Sequence, residues 1–156
     1  MAEKINYKKL ETQEIGQTKE LLEEYIDSLH LDLSFQDIQE EMTSFPDKYR
    51  EPAGAFIIAK CGEIVCGCVG LKRINLDICE MKRLFVRDDF KGLGIGKRLI
   101  ELILLEAKKK GYRKIRLDTL PSMKKAQDLY RYFGFYEIEP YVFNPVEGSS
   151  FFEREL

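Results

Sequence analysis

Apolar positions along this chain recur with two different periods, and each period predicts a different kind of element. From Gln13 to Leu29, the residues Ile15, Leu21, Leu22, Tyr25, Ile26 and Leu29 fall mostly at helical spacing. A second helix is expected from about Ser34, a residue suited to an N-cap, to Phe45, after which Pro46 and Pro52 bracket a loop. A weaker pattern over residues 3–9 allows a strand ahead of both helices. Two strand-like runs follow, Ala55 to Lys60 and Glu63 to Leu71, and the Cys61-Gly62 pair between them predicts a hairpin. Ile78 to Val86 adds a third strand, making an antiparallel meander.

Beyond Val86 the order changes to turn, helix, strand, helix, strand. Gly94 to Lys110 reads as a helix whose inner face carries Ile95, Leu99, Leu102, Ile103 and Ala107. Lys108-Lys109-Lys110 suits the negative end of its dipole, and Gly111 suits the position just past its end. Lys114 to Thr119 alternates as a strand. Pro121 and Ser122 open a helix from Met123 to Phe133, which Gly134 stops, and residues 135–142 and 150–156 supply two final strands. No repeat, low-complexity tract or linker interrupts residues 1–156, so the pattern predicts one α/β domain.

Composition narrows this picture mainly by exclusion. A chain of 156 residues with 44% apolar content has the size and make-up of one globular domain. The longest apolar stretch, Leu99 to Leu105, is too short for a membrane span and contains Glu101. The N-terminus lacks the basic-then-apolar layout of a secretion signal, so a cytoplasmic location is expected. The 25 basic and 27 acidic side chains are mixed along the chain, which gives no global field for nucleic acid. The local basic group at Lys108–Lys110, Arg113-Lys114 and Lys124-Lys125 reads more simply as a solvated face. Cys61, Cys66, Cys68 and Cys79 form no Cys-x-x-Cys pair and the one histidine, His30, is distant in sequence, so no metal site is expected. Four reduced, buried thiols would suit a reducing compartment.

The chemistry begins at the strand–helix turn Lys91-Gly92-Leu93-Gly94-Ile95-Gly96. Glycines let backbone N–H groups approach a ligand closely, and with a helix N-terminus they form an anion site suited to phosphates. A dinucleotide fingerprint starting at Gly92 fails at Lys97, and one starting at Gly94 fails at Leu99. A P-loop ending at Gly96-Lys97 fails at Lys91 and Arg98. What the turn does resemble is the acetyl-CoA signature of the GNAT N-acetyltransferases, Gln/Arg-x-x-Gly-x-Gly/Ala, with Lys91 in the first place. Glu80-Met81-Lys82-Arg83-Leu84-Phe85-Val86 before it and Ala126-x-x-x-Tyr130-x-x-x-Gly134-Phe135 after it are similar to the same family, in the same order. The resemblance spans roughly residues 55–136.

That resemblance implies a mixed central sheet of about six to seven strands, an N-terminal meander followed by strand-helix-strand-helix-strands, with helices on both faces. It implies acetyl-CoA as acyl donor, no metal, and a cofactor lying along Leu84, Phe85 and Val86 and over Lys91, Gly92, Leu93, Gly94, Ile95, Gly96 and Lys97. Glu80 stands where the histone-acetylating branch of the family has its general base; it can equally be an exposed strand glutamate paired with Lys82 on the same face. Tyr130 stands where many relatives carry the acid that protonates the leaving thiolate; it can also belong to an apolar face with Met123, Ala126 and Phe133. Tyr132 is the fallback acid. The acceptor is expected between the N-terminal helices and the loop Tyr141 to Gly148, as a small-molecule primary amine, with Lys82, Arg83 and Arg73 available to a carboxylate. A peptide amine, or a CoA-binding module without turnover, are the alternatives. A C-terminal edge strand, Phe151-Phe152-Glu153, would allow a homodimer.

Overall fold

In the computed structural model, residues 4–29 and 38–156 are described. The Ser34 cap and His30 lie outside the described residues. The elements are β1 (Ile5–Lys9), α1 (Ile15–Leu29), α2 (Ile38–Ser44), β2 (Ala55–Cys61), β3 (Ile64–Arg73), β4 (Ile78–Val86), α3 (Ile95–Lys109), β5 (Lys114–Thr119), α4 (Lys124–Tyr132), β6 (Tyr136–Ile138) and β7 (Ser150–Glu155). They build a seven-stranded mixed sheet in the order β1-β2-β3-β4-β5-β7-β6. β1 to β4 form the antiparallel meander, and β4 pairs with β5 in parallel.

β2 and β3 read as continuous apolar runs because the sheet is covered on both faces. Ala55, Ile57, Ala59, Val69 and Leu71 face one cluster with Ile95, Leu99, Ile103 and Ala107 of α3. Phe56, Ile58, Val65 and Cys68 face the other, with Leu21 and Leu22 of α1 and the rings of Phe45 and Tyr49. α3 lies across β2, β3 and β4. Its buried stripe is therefore wider than the spacing predicts: Ile100, Leu104 and Glu106 are buried as well, while Leu102 is only partly so. Glu14, buried at the start of α1, accepts from Lys8 at 2.6 Å and Lys60 at 3.2 Å and so ties the helix to β1 and β2.

Three expectations need correction. β6 is three residues long rather than eight, since Pro140 follows closely and has no N–H to extend a ladder. β7 pairs with β5 on one side and β6 on the other, so the C-terminal strand is not an open edge; the edges are β1 and β6. Cys61, at the end of β2, is only half-buried, whereas Cys66, Cys68 and Cys79 are buried. Among the described residues no helix is long and apolar enough to cross a membrane.

Candidate active site

The site begins where the sheet splits. β4 and β5 share only the pairs Ile78↔Lys114, Cys79↔Ile115 and Glu80↔Arg116. β4 then continues to Val86 against β3, and β5 continues to Thr119 against β7. Among the described residues, no strand pairs with β4 on its β5 side beyond Glu80. Backbone groups along both strands are left facing a gap, where they need other partners.

A bulge in β4 widens this gap. The β3–β4 register shifts between Cys68 and Gly70, and Arg83 takes a left-handed φ of 61°. A non-glycine residue there is strained and must be held by its surroundings. Arg83 is held by Glu41 of α2: Nε and Nη2 each donate to one carboxylate oxygen at 2.9 Å. Tyr49 donates to the same carboxylate at 2.9 Å, and its ring packs so closely over Gly70 that a Cβ there would come within 2.8 Å of it. Burial alone would raise the Glu41 carboxyl, yet the Arg83 bonds hold it below the ordinary value. Arg83 is thus committed to a carboxylate of the protein itself, whereas Arg73, exposed at the end of β3, donates its Nε to the Tyr112 hydroxyl at 3.0 Å. Arg83 is therefore not available to a substrate carboxylate as the sequence suggested, because Glu41 occupies it.

The resulting cleft passes through the sheet. It is lined by Met123, Ala126 and Tyr130 around α4, by Tyr25 and Leu29 of α1, by Lys82 and Asp118 of the two strands and by Asn144; Leu84 and Leu117 reach it from the α3-side cluster. Tyr130 is buried between the rings of Phe135 and Phe152, at 5.8 and 6.3 Å. Burial, with the charges of Tyr25 and Asp118, pushes its hydroxyl above the ordinary tyrosine range. Tyr132 is 67% exposed, sits under the Lys97 ammonium and is not among the lining residues.

Glu80 is 3% exposed and does not itself line the cleft. The Tyr141 hydroxyl, from the β6–β7 loop, donates to its Oε2 at 2.6 Å, and Lys82 Nζ stands 3.7 Å from its Oε1. Burial and then the Glu80 charge push the Tyr141 hydroxyl well up. Arg116, opposite Glu80 on β5, stacks over the Tyr141 ring and donates to Glu153 at 2.8 Å. Asp118 escaped the sequence reading, because strand alternation marks it only as outward-facing. Its carboxylate accepts from Asn144 at 3.0 Å.

At the far end of β4 the glycine turn leads into α3. Gly92 and Gly94 have φ of 84° and 78°, which side chains rarely adopt, and Gly94 is the N-cap. No side chain caps α3, and its first turn holds no acidic residue. Lys97 and Arg98 occupy that turn instead, an unfavourable choice beside the positive end of a helix unless an anion binds there. A Cβ on Gly96 would meet only Val86 and Leu129 side chains, at 3.8 and 4.0 Å, so the turn's outer surface is open. Lys91 pairs with Asp88 at 2.7 Å. Among the described residues no group of three or more His, Cys, Asp or Glu side chains is placed to hold a metal ion.

Comparison with known proteins agrees with this geometry. Residues 18–135 match the acetyltransferase (GNAT) family. The chain is 34% identical to an N-acetyltransferase of Schizosaccharomyces pombe, over 92% of this chain and 90% of that protein. It is 32% identical to one of Dictyostelium discoideum, over 90% and 93% respectively. Its fold matches, with a TM-score of 0.69 and 24% identity, a GNAT family acetyltransferase of Elizabethkingia anophelis with acetyl-CoA bound, over 97% of this chain and 98% of that one.

Proposed function

This chain belongs to the acetyltransferase (GNAT) family and is an acyltransferase, and from that premise we propose that it moves the acetyl group of acetyl-CoA to the primary amine of a small molecule, by direct attack in a ternary complex. The observation that carries the reading is the split between β4 and β5, which joins an acceptor face to a cofactor face through one cleft. The pyrophosphate of the donor binds over Lys91–Lys97, on the uncapped N-terminus of α3. Its pantetheine arm runs along Leu84, Phe85 and Val86, whose backbone groups face the gap and can meet the thioester carbonyl.

The amine attacks the carbonyl carbon, the new N–C bond forms and the C–S bond breaks. Glu80 takes the proton leaving the amine, through a water at the cleft wall, with Tyr141 fixing the carboxylate. Tyr130 gives its proton to the departing thiolate, a role that suits a hydroxyl kept protonated by burial. A covalent acyl-enzyme is disfavoured because no cysteine lines the cleft, and burial pushes the Cys68 and Cys79 thiols up to about 12. Thiol release from acetyl-CoA across a panel of small amines, polyamines and peptides tests the reading. Release that depends on small amines is expected. Release only with peptides, or tight CoA binding with no release, would overturn it.

A further inference from the structure

Two opposite charges, Asp118 of β5 and Lys82 of β4, line the same cleft. On the β5 wall stands Asp118, held by Asn144 at 3.0 Å; among the described residues no cation pairs with it. On the β4 wall stands Lys82, whose nearest carboxylate, Glu80, is 3.7 Å away and already bonded to Tyr141. Lys72, opposite Glu80 on β3, adds a second positive charge to the same sheet face. Two neighbouring arginines pair with carboxylates of their own, Arg83 with Glu41 and Arg116 with Glu153, while Arg73 gives its Nε to the Tyr112 hydroxyl and is not among the lining residues. Among the described residues that line the cleft, Asp118 is an anion with no cationic partner, and Lys82 is a cation with only a long 3.7 Å pairing to Glu80.

Resting on the reading of a small-amine acetyltransferase, we propose that the acceptor is a small zwitterionic amino acid, its ammonium held by Asp118 and its carboxylate by Lys82. Charge-assisted bonds from the two strands fix both ends of such a molecule, which orients the nitrogen toward the thioester. Tyr25 and Leu29 of α1 leave an apolar wall for its side chain. The Asp118 charge also acts on the hydroxyls of Tyr25, Tyr130 and Tyr141, which come from α1, α4 and the β6–β7 loop. An ammonium bound there lies between the proposed acid and the Tyr141–Glu80 pair. A polyamine would bring its second cation against Lys82 and Lys72, so the same arrangement rejects it. Acetylation turns the ammonium into a neutral amide, which weakens the hold of Asp118 and favours product release.

The test compares α-amino acids with their matched carboxamides and with spermidine, at saturating acetyl-CoA. The native protein should use the acids with kcat/KM roughly tenfold or more above the amides, the worth of one hydrogen bond to a charged group. Lys82→Met should raise KM for the acids and bring the two series together, while Lys82→Arg retains the preference. Asp118→Asn should raise KM for acids and amides alike, and the KM for acetyl-CoA should stay unchanged in all three variants. Equal use of acids and amides by the native protein, good turnover of spermidine, or an intact preference in Lys82→Met would overturn the assignment while leaving the acetyltransferase reading in place. No thiol release with any amine would overturn both.

Discussion

Tyr130 lines the cleft from α4 and Glu80 lies in the last β4–β5 pair before the split, and each has a competing structural role. Tyr130 packs between Phe135 and Phe152, so its ring belongs to the core whatever its hydroxyl does. Tyr130→Phe keeps that ring and removes the proton, and should lower kcat by about a hundredfold while shifting the acetyl-CoA KM little. Full turnover in steady-state assays of this variant would assign the residue to packing alone. Glu80 is held by Tyr141 and Lys82, so the expected pairing with Lys82 is present, but the residue is 3% exposed and not the exposed glutamate of the alternative reading. Glu80→Gln retains an oxygen for the Tyr141 hydroxyl and removes the base. The acidic limb of the kcat/KM profile should disappear with it, and an unchanged profile would exclude Glu80 from proton transfer.

Two elements position the cofactor by opposite means, one through an end left bare and the other through a side chain fully engaged. The α3 N-terminus lacks a cap and any nearby acid. Gly94→Asp puts negative charge where a pyrophosphate would bind, at a left-handed φ of 78° that strains any side chain. The strain should lower the melting temperature by several degrees, and the charge should raise the acetyl-CoA KM at least tenfold or so; an unchanged KM would move the anion site elsewhere. β4, by contrast, depends on the Glu41–Arg83 pair to hold its bulge. Glu41→Gln leaves the buried Arg83 charge uncompensated and should cost about 3 kcal/mol of stability. The sign with pH follows from the lowered Glu41 carboxyl: its contribution is present above the ordinary value of 4.5 and is lost as pH falls through the lower, folded-state value. Thermal melts of native and variant protein between roughly pH 3 and 7 should therefore converge at the acid end.

At the scale of the whole molecule, the parts legible in the sequence are those where local chemistry and tertiary environment agree. β4, Ile78–Val86, and β5, Lys114–Thr119, have the bounds their apolar patterns predict, and α3 differs by one residue at each end because Gly94 and Lys110 flank it clearly. The glycine turn was legible for the same reason. The split of the sheet was not, because it depends on β5 and β7 staying paired while β4 turns away, and no residue in either strand carries that signal. Asp118 and the commitment of Arg83 to Glu41 follow from the split and from α2 packing, so they too needed three dimensions. The central claim is direct acetyl transfer within that split. It is tested most directly by initial rates of thiol release over a grid of acetyl-CoA and amino-acid concentrations. Intersecting double-reciprocal lines are predicted, as for a ternary complex. Parallel lines, or release that ignores the amine, would contradict the account.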